Sequence, residues 1–141
     1  MLLLSKFILD NQMYYSKNEQ VTWETCDLRN WLNNDFINTA FTNQEQMLLL
    51  ETEITTPDLD AGTIMYSDGS VVTDRCFILS FEEIKSLVDE NERKAPISEY
   101  SNQKQTKWFA DCGSWYIRSG NCNQIQPVNP HLYFNPLISE Y

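Results

Sequence analysis

Five residues of this sequence have side chains suited to metal binding or thiol chemistry: Cys26, Cys76, Cys112, Cys122 and His131. Zinc sites usually place two cysteines two to four residues apart, followed by a second close pair of ligands. No two of these cysteines have that spacing, and His131 is the sole histidine. We therefore predict no metal site and no cofactor. Buried free thiols are the preferred interpretation, and a Cys112–Cys122 disulfide is the alternative if the protein is exported.

Two other patterns that can mark a functional site are incomplete. Asp58, Asp60 and Gly62 resemble the start of a calcium-binding loop, but the further oxygen ligands and the distal glutamate of an EF-hand are missing. Ser114 does not lie in the Gly-x-Ser-x-Gly sequence that surrounds the nucleophile of many hydrolases. We therefore expect an acidic surface loop at the first position and no catalytic serine at the second.

The composition predicts one folded, acidic domain spanning residues 1–141. Of these residues, 42% are hydrophobic and 13% are aromatic, which is enough for a core without disulfides or metals. A net charge of −10 repels phosphate backbones and anionic lipids, so we expect neither nucleic acid nor a membrane as a partner. The sequence has no membrane-spanning run and no clear signal peptide, so the default location is the cytoplasm.

The strongest structural pattern lies in residues 21–41. Apolar residues recur there at the spacing of one helix face: Leu28, Trp31, Leu32, Phe36 and Ile37. Thr25 is the predicted N-cap, and Asp27 lies in the first turn, where a carboxylate stabilises the helix dipole. Trp23 and Trp31 could stack on a sugar, but their place on and beside an apolar face favours the core.

Two capping boxes predict further helices. Thr42 and Glu45 fit a capping box ahead of the apolar residues 47–50 and predict a second, short helix, and Ser80 and Glu83 open a helix that ends near Asp89. The second helix should have four residues on its inner face: Phe81, Ile84, Leu87 and Val88.

Strands are predicted at residues 2–9, around Ile54, and at residues 76–79, 115–118 and 132–134. Helices dominate the first half of the chain and strands the second. This distribution predicts an α+β fold with two or three helices packed on one side of an antiparallel sheet.

Several segments of the chain resemble one family. In chain order they are residues 8–10, 22–25 (Thr-Trp-Glu-Thr), 28–33 (Leu-Arg-Asn-Trp-Leu-Asn), 36–41, 73–83, 115–119 (Trp-Tyr-Ile-Arg-Ser) and, less closely, 128–135. Together they are similar to the bacterial and phage-associated group known as domain of unknown function 6273. The resemblance implies a C-type-lectin-like fold, which sulfatase-activating enzymes and retroelement-diversified receptors also use. It therefore implies a ligand-presenting scaffold.

In lectin-like folds, ligands are commonly held in the region that corresponds to residues 115–130. On that basis the resemblance implies five ligand-binding residues: Trp115, Arg118, Asn121, Asn123 and Asn129. Arg118 would anchor a ligand carboxylate or a glycan, and the alternative is a structural ion pair or a hydrogen bond to a backbone carbonyl. Gln126-Pro127-Val128 lacks the acidic ligand of calcium-dependent lectins, so we do not expect calcium-dependent glycan binding.

The chain differs from the family in this same region. Residues 120–127 form a shortened segment, and Asn129 replaces an arginine of the closing motif. We expect a non-enzymatic binding or assembly module whose ligand is a protein or a saccharide. Three alternatives stay open: a homodimer paired through an exposed sheet edge, a purely structural subunit, and an oxidase of the sulfatase-activating type using Cys112 and Cys122.

Overall fold

The computed structural model describes residues 2–17, 19–56, 69–89, 93, 95–103, 117–118, 133–134 and 137–139. The strands are β1 (Leu2–Leu4), β2 (Asp10–Asn11), β3 (Thr52–Thr55), β4 (Val71–Asp74), β5 (Cys76–Phe77), β6 (Tyr133–Phe134) and β7 (Leu137–Ser139). The helices are α1 (Asp27–Trp31), a π-helical turn (Leu32–Phe36), α2 (Ile37–Ala40), α3 (Asn43–Gln46), α4 (Phe81–Leu87) and α5 (Glu99–Gln103). This mixture of helices and antiparallel strands confirms the predicted α+β class.

The described strands form three small sheets, and every strand pair is antiparallel. In the largest sheet β7 lies between β1 and β5, so that Ile138 is opposite both Leu3 and Cys76. A second pair joins β2 to β6. The third joins β3 to β4 and places Ile54 opposite Val72, both buried. The pairing of β1 with β7 brings the two ends of the described chain together.

The predicted long helix is present as a continuous helical run from α1 through the π-helical turn to α2. Its N-cap is Cys26, whose extended backbone precedes α1 and whose Sγ accepts a hydrogen bond from the Arg29 N–H at 3.4 Å. The prediction of Thr25 as the N-cap was therefore wrong. Thr25 Oγ1 instead lies 3.2 Å from Thr22 Oγ1, in the turn that leads into the helix.

The apolar face of this helix forms the centre of the core, as its spacing predicts. Leu28, Leu32, Phe36 and Ile37 are all buried, together with Trp23 at 1% exposure. The interpretation of Trp23 as a core residue is thus confirmed. Trp31 is half-buried and packs on this core, with its ring centroid 5.2 Å from that of Phe36.

The first predicted capping box and the short helix that it opens are confirmed. Thr42 Oγ1 accepts from the Glu45 N–H, and the Glu45 carboxylate accepts from the Thr42 N–H. The helix spans Asn43–Gln46 and stops before the apolar residues 47–50. The chain turns there so that Leu49 enters the core, while Met47 and Leu48 remain exposed.

The second capping box, of Ser80 and Glu83, is also confirmed and opens α4. Ile84 and Val88 are buried as predicted, whereas Leu87 is 60% exposed and its assignment to the inner face was wrong. The helix ends at Leu87, and the extended backbone of Val88 turns that side chain inward in its place.

The strand predictions are only partly correct. The predicted strand at residues 2–9 is β1 followed by Ile8, which bridges in parallel to Ile97. Of residues 115–118, only Ile117 and Arg118 are described, and both lie outside the strands. The Arg118 N–H donates to the Leu79 carbonyl at 3.1 Å. None of the described helices has the length and hydrophobicity needed to cross a bilayer.

Candidate functional site

Most of the ligand-binding residues implied by the resemblance lie outside the described residues, as do two cysteines, the histidine and the calcium-like loop. They are Trp115, Asn121, Asn123 and Asn129, then Cys112, Cys122, His131 and residues 58–62. The shortened segment at residues 120–127 also lies outside them. Their roles stay predictions, and Arg118 is the one implied ligand-binding residue with a described environment.

Arg118 is buried in an ion pair. Its two terminal nitrogens pair with the two carboxylate oxygens of Glu83, and Nη1 also donates to the backbone carbonyl of Ile78 at 2.7 Å. The guanidinium lies over the Phe77 ring, 5.6 Å from its centroid. Burial tends to raise the pKa of Glu83, but the bonds and charge of Arg118 outweigh it and lower that pKa. These contacts match the alternative interpretation of Arg118, a structural ion pair with a hydrogen bond to a backbone carbonyl. They connect the start of α4 to the segment between β5 and α4.

A second ion pair joins two of the segments on which the family resemblance depends. Asp74 at the end of β4 accepts from Trp23 Nε1 at 2.9 Å and from Arg29 Nε at 2.8 and 3.1 Å. The Asp74 side chain is 1% exposed and that of Arg29 is 25% exposed. Burial raises the pKa of Asp74, although the Trp23 hydrogen bond and the Arg29 charge act to lower it. The pair fixes the start of α1 against β4.

Asn33, in the π-helical turn, completes this connection. Its Nδ2 donates to the carbonyls of Arg29 and Cys76, at 3.1 and 2.8 Å. Its Oδ1 accepts from the N–H groups of Arg75 and Cys76, at 2.9 and 3.1 Å. One amide side chain thus satisfies three backbone groups where the chain passes from β4 to β5.

The outer side of this network is a polar groove of about 480 Å³. Its less exposed lining residues are Cys26, Arg29, Asn33 and Asp74. Its exposed lining residues are Glu24, Thr25, Asp27, Asn30, Asn34 and Thr73. The volume falls within the roughly 300–1,000 Å³ of small-molecule sites, although those sites are mostly apolar and this groove is polar.

Several polar groups on the exposed side of the groove have no partner among the described residues. Asn34 Nδ2 donates to the Asn30 carbonyl at 2.8 Å and to Asn30 Oδ1 at 3.0 Å. This leaves Asn34 Oδ1 as an acceptor and Asn30 Nδ2 as a donor within the described part of the chain. One carboxylate oxygen of Asp27 is already hydrogen-bonded, because its Oδ2 accepts from the Ser16 N–H at 2.7 Å. The arrangement offers hydrogen-bonding groups of both kinds to a polar ligand.

The two described thiols are unsuited to nucleophilic chemistry. Cys26 and Cys76 are free and buried. Burial raises the pKa of Cys26 to about 12 and raises that of Cys76 above its usual value as well. Thiols with such pKa values are protonated at neutral pH and react slowly. Among the described residues, no group of three or more His, Cys, Asp or Glu side chains could hold a metal ion.

The groove was not predicted from the sequence, because it depends on contacts between residues far apart in the chain. Arg29 and Asp74 are 45 residues apart, and Trp23 and Asp74 are 51 apart. One signal was present: a buried aspartate is expected near an arginine and an indole N–H, and all three lie in the segments that resemble the family. No pattern in the sequence pointed to Asn30 or Asn34.

The chain was compared with protein families, with curated proteins and with solved structures. The family model described as "Domain of unknown function (DUF6273)" matches residues 1–129 of the 141. Neither the curated proteins nor the solved structures gave a match. Because the family model covers most of the chain, including the segments joined by the Asp74 and Arg118 ion pairs, the chain belongs to the DUF6273 family.

Proposed function

We propose that this chain is a non-enzymatic binding module whose ligand is a protein or a saccharide. The observation that carries the proposal is the polar groove beside α1. In its deeper part, Asp74 accepts hydrogen bonds from Arg29 and Trp23. At its exposed side, the Asn30 Nδ2 and Asn34 Oδ1 groups have no described partner. A few precisely placed polar groups give a binding site its specificity, and a preorganised site needs little ordering when a ligand binds.

The state of the charged groups favours binding over catalysis. The two most buried charged residues that the structure describes, Asp74 and Arg118, are each engaged in an ion pair that holds two segments together. General acid–base catalysis requires a group that is free to exchange a proton with the substrate. The two described thiols have raised pKa values and are therefore poor nucleophiles.

We also propose that the α+β fold is C-type-lectin-like. The support is the resemblance of the signature segments, together with the presence of helices and antiparallel strands in one chain. An experimental structure of the chain would test the assignment by its strand order. A strand order unrelated to that of lectin-like domains would reject it.

The function itself is tested by a binding screen against a glycan array and against soluble proteins, with the purified chain as the probe. We expect a ligand whose binding is weakened by substitutions in the groove. The matched comparison is Asn34→Ala, in the groove, against Asn38→Ala, an exposed asparagine on α2 that does not line it. A chain that binds neither a saccharide nor a protein would contradict the proposal.

Assembly with a second copy is a second candidate, favoured by strand β1. In the described sheet β1 lies at one end, and Leu2 and Leu4 are each about 40% exposed on the same face of it. An antiparallel edge can pair with its own copy about a two-fold axis. Light scattering after size exclusion would show a dimer that Leu4→Lys disrupts and that Leu48→Lys, at an exposed position elsewhere, leaves intact. A monomeric mass would exclude this candidate.

A further inference from the structure

We infer that the groove beside α1 binds a neutral oligosaccharide, with Asn30 and Asn34 as the residues that contact its hydroxyl groups. The inference rests on the proposed binding function and adds the ligand class and the contact residues. Both asparagines are exposed, line the groove and lie one helical turn apart.

The first argument is the pairing of a donor with an acceptor. Asn30 Nδ2 offers hydrogen atoms, and Asn34 Oδ1 offers lone pairs, and the bond between the two side chains holds both amides in a defined orientation. A hydroxyl group both donates and accepts, so two hydroxyls of one sugar ring match such a pair. A phosphate offers mainly acceptors and an ammonium only donors, so either would bond one of the two asparagine groups and leave the other to water.

The second argument is the charge of the groove. Among the lining residues that the structure describes, the one cation is Arg29, which is already paired with Asp74, so these two charges balance. The other charged lining residues are Glu24 and Asp27, both carboxylates. Their net negative charge repels phosphorylated, sulfated and uronic acid ligands. A neutral ligand avoids this repulsion, and the Glu24 carboxylate can accept a hydrogen bond from a further hydroxyl.

The third argument is that the floor of the groove is rigid. Arg29 is held by Asp74 and also donates to the carbonyls of Glu24 and Thr73, at 3.0 and 3.5 Å. Asn33 has both its amide groups bonded to the backbone. A saccharide that binds there therefore orders few protein side chains, which reduces the entropy lost on binding.

The experiment probes the full chain with an array of neutral oligosaccharides built from glucose, galactose, mannose and N-acetylglucosamine, alongside sialylated glycans and a basic peptide. Dense display on an array detects weak sites through avidity. The strongest neutral glycan is then titrated in solution and followed by amide NMR shifts. Asn30→Ala and Asn34→Ala should each weaken binding about three- to tenfold, the loss expected for one hydrogen bond. Asn38→Ala should bind as the parent does.

The outcomes separate this inference from the function on which it rests. Neutral glycan binding that survives both Asn30→Ala and Asn34→Ala places the ligand elsewhere and overturns the inference, while the binding function stands. Binding only of the sialylated glycans or of the basic peptide overturns the ligand class. Binding of no saccharide and no protein overturns both. Equal thermal melting of the three variants and the parent establishes that a lost affinity is not a lost fold.

Discussion

Substitution of Asp74 by alanine removes a carboxylate that serves two donors at once. The indole N–H of Trp23 donates to Asp74 Oδ2 at 2.9 Å, and Trp23 is 1% exposed. In Asp74→Ala this N–H has no partner, and burial of Trp23 restricts access of water to it. An unsatisfied buried donor costs about 1–3 kcal/mol in the free energy of unfolding.

The lost partner of Arg29 adds a second contribution. Removing one member of a fully buried ion pair costs about 3–5 kcal/mol, whereas exposed pairs contribute about 0–1 kcal/mol. The Arg29 side chain is 25% exposed and keeps its bonds to the Glu24 and Thr73 carbonyls, so its contribution lies between these limits. Together the two effects predict a loss of about 2–5 kcal/mol, a large share of the roughly 5–15 kcal/mol that stabilises a typical domain.

Urea unfolding at pH 7, followed by tryptophan fluorescence, measures this loss. Asp74→Asn keeps an oxygen that can accept from Trp23 but removes the charge opposite Arg29, so we expect a smaller loss than in Asp74→Ala. The matched control is Asp35→Ala, at an exposed carboxylate in the π-helical turn, which should change stability by less than about 0.5 kcal/mol. An Asp74→Ala protein as stable as Asp35→Ala would refute the view that this ion pair holds α1 against β4.

Three further perturbations test other parts of the structure. Glu83→Gln leaves buried Arg118 without a counter-ion and should lower the free energy of unfolding by about 1–3 kcal/mol at pH 7. Because Arg118 lowers the pKa of Glu83 against the effect of burial, this difference should shrink as pH falls from the unfolded value of about 4.3 through the folded pKa. Cys26 and Cys76 should resist iodoacetamide at pH 8 in the native protein and react in urea, as read by mass spectrometry of each peptide. Asn33→Ala removes the acceptor of two backbone N–H groups and should cost about 2–4 kcal/mol in the same urea assay.

Matched controls make each of these outcomes decisive. Glu82→Gln changes the neighbouring exposed carboxylate of α4, and it should be nearly neutral. If Glu83→Gln is no less stable than Glu82→Gln, the Arg118 ion pair does not hold α4. Asn38→Ala is the corresponding control for Asn33→Ala. Rapid alkylation of native Cys76 would show that its thiol is accessible, contrary to its burial.

The features that the sequence predicted correctly depend on residues only a few positions apart. Both capping boxes join residues three positions apart, and the helix face of Leu28 and Leu32 repeats at four. The errors occurred where neighbouring elements decide the outcome. Cys26 replaced Thr25 as the N-cap because Thr25 is engaged with Thr22 in the preceding turn. No local pattern distinguishes these two choices.

The groove was not predicted because it depends on long-range contacts, whereas the family resemblance rests on short sequence segments. Trp23, Arg29 and Asp74 all lie in segments that resemble the family, but they are in contact only because β4 passes beside the start of α1. Polar residues such as Asn30 are ordinary on an exposed helix face, so their type and spacing predict only solvent exposure. Their role in the groove becomes visible once the opposite wall, near Thr73, is in place.

The residues that hold the fold and the proposed ligand contacts are different residues, although Asn30 lies within the matching segment 28–33. Trp23, Arg29 and Asp74 occur in the segments that resemble the family, and all three are engaged in contacts within the protein that hold the fold. Asn30 and Asn34 line the same groove, and among the described residues their side chains hydrogen-bond only within the helix. Membership of the family therefore constrains the architecture of the groove more than the chemistry at its exposed side. We expect relatives that keep the ion pair but differ at the positions of Asn30 and Asn34 to bind other ligands in the same place.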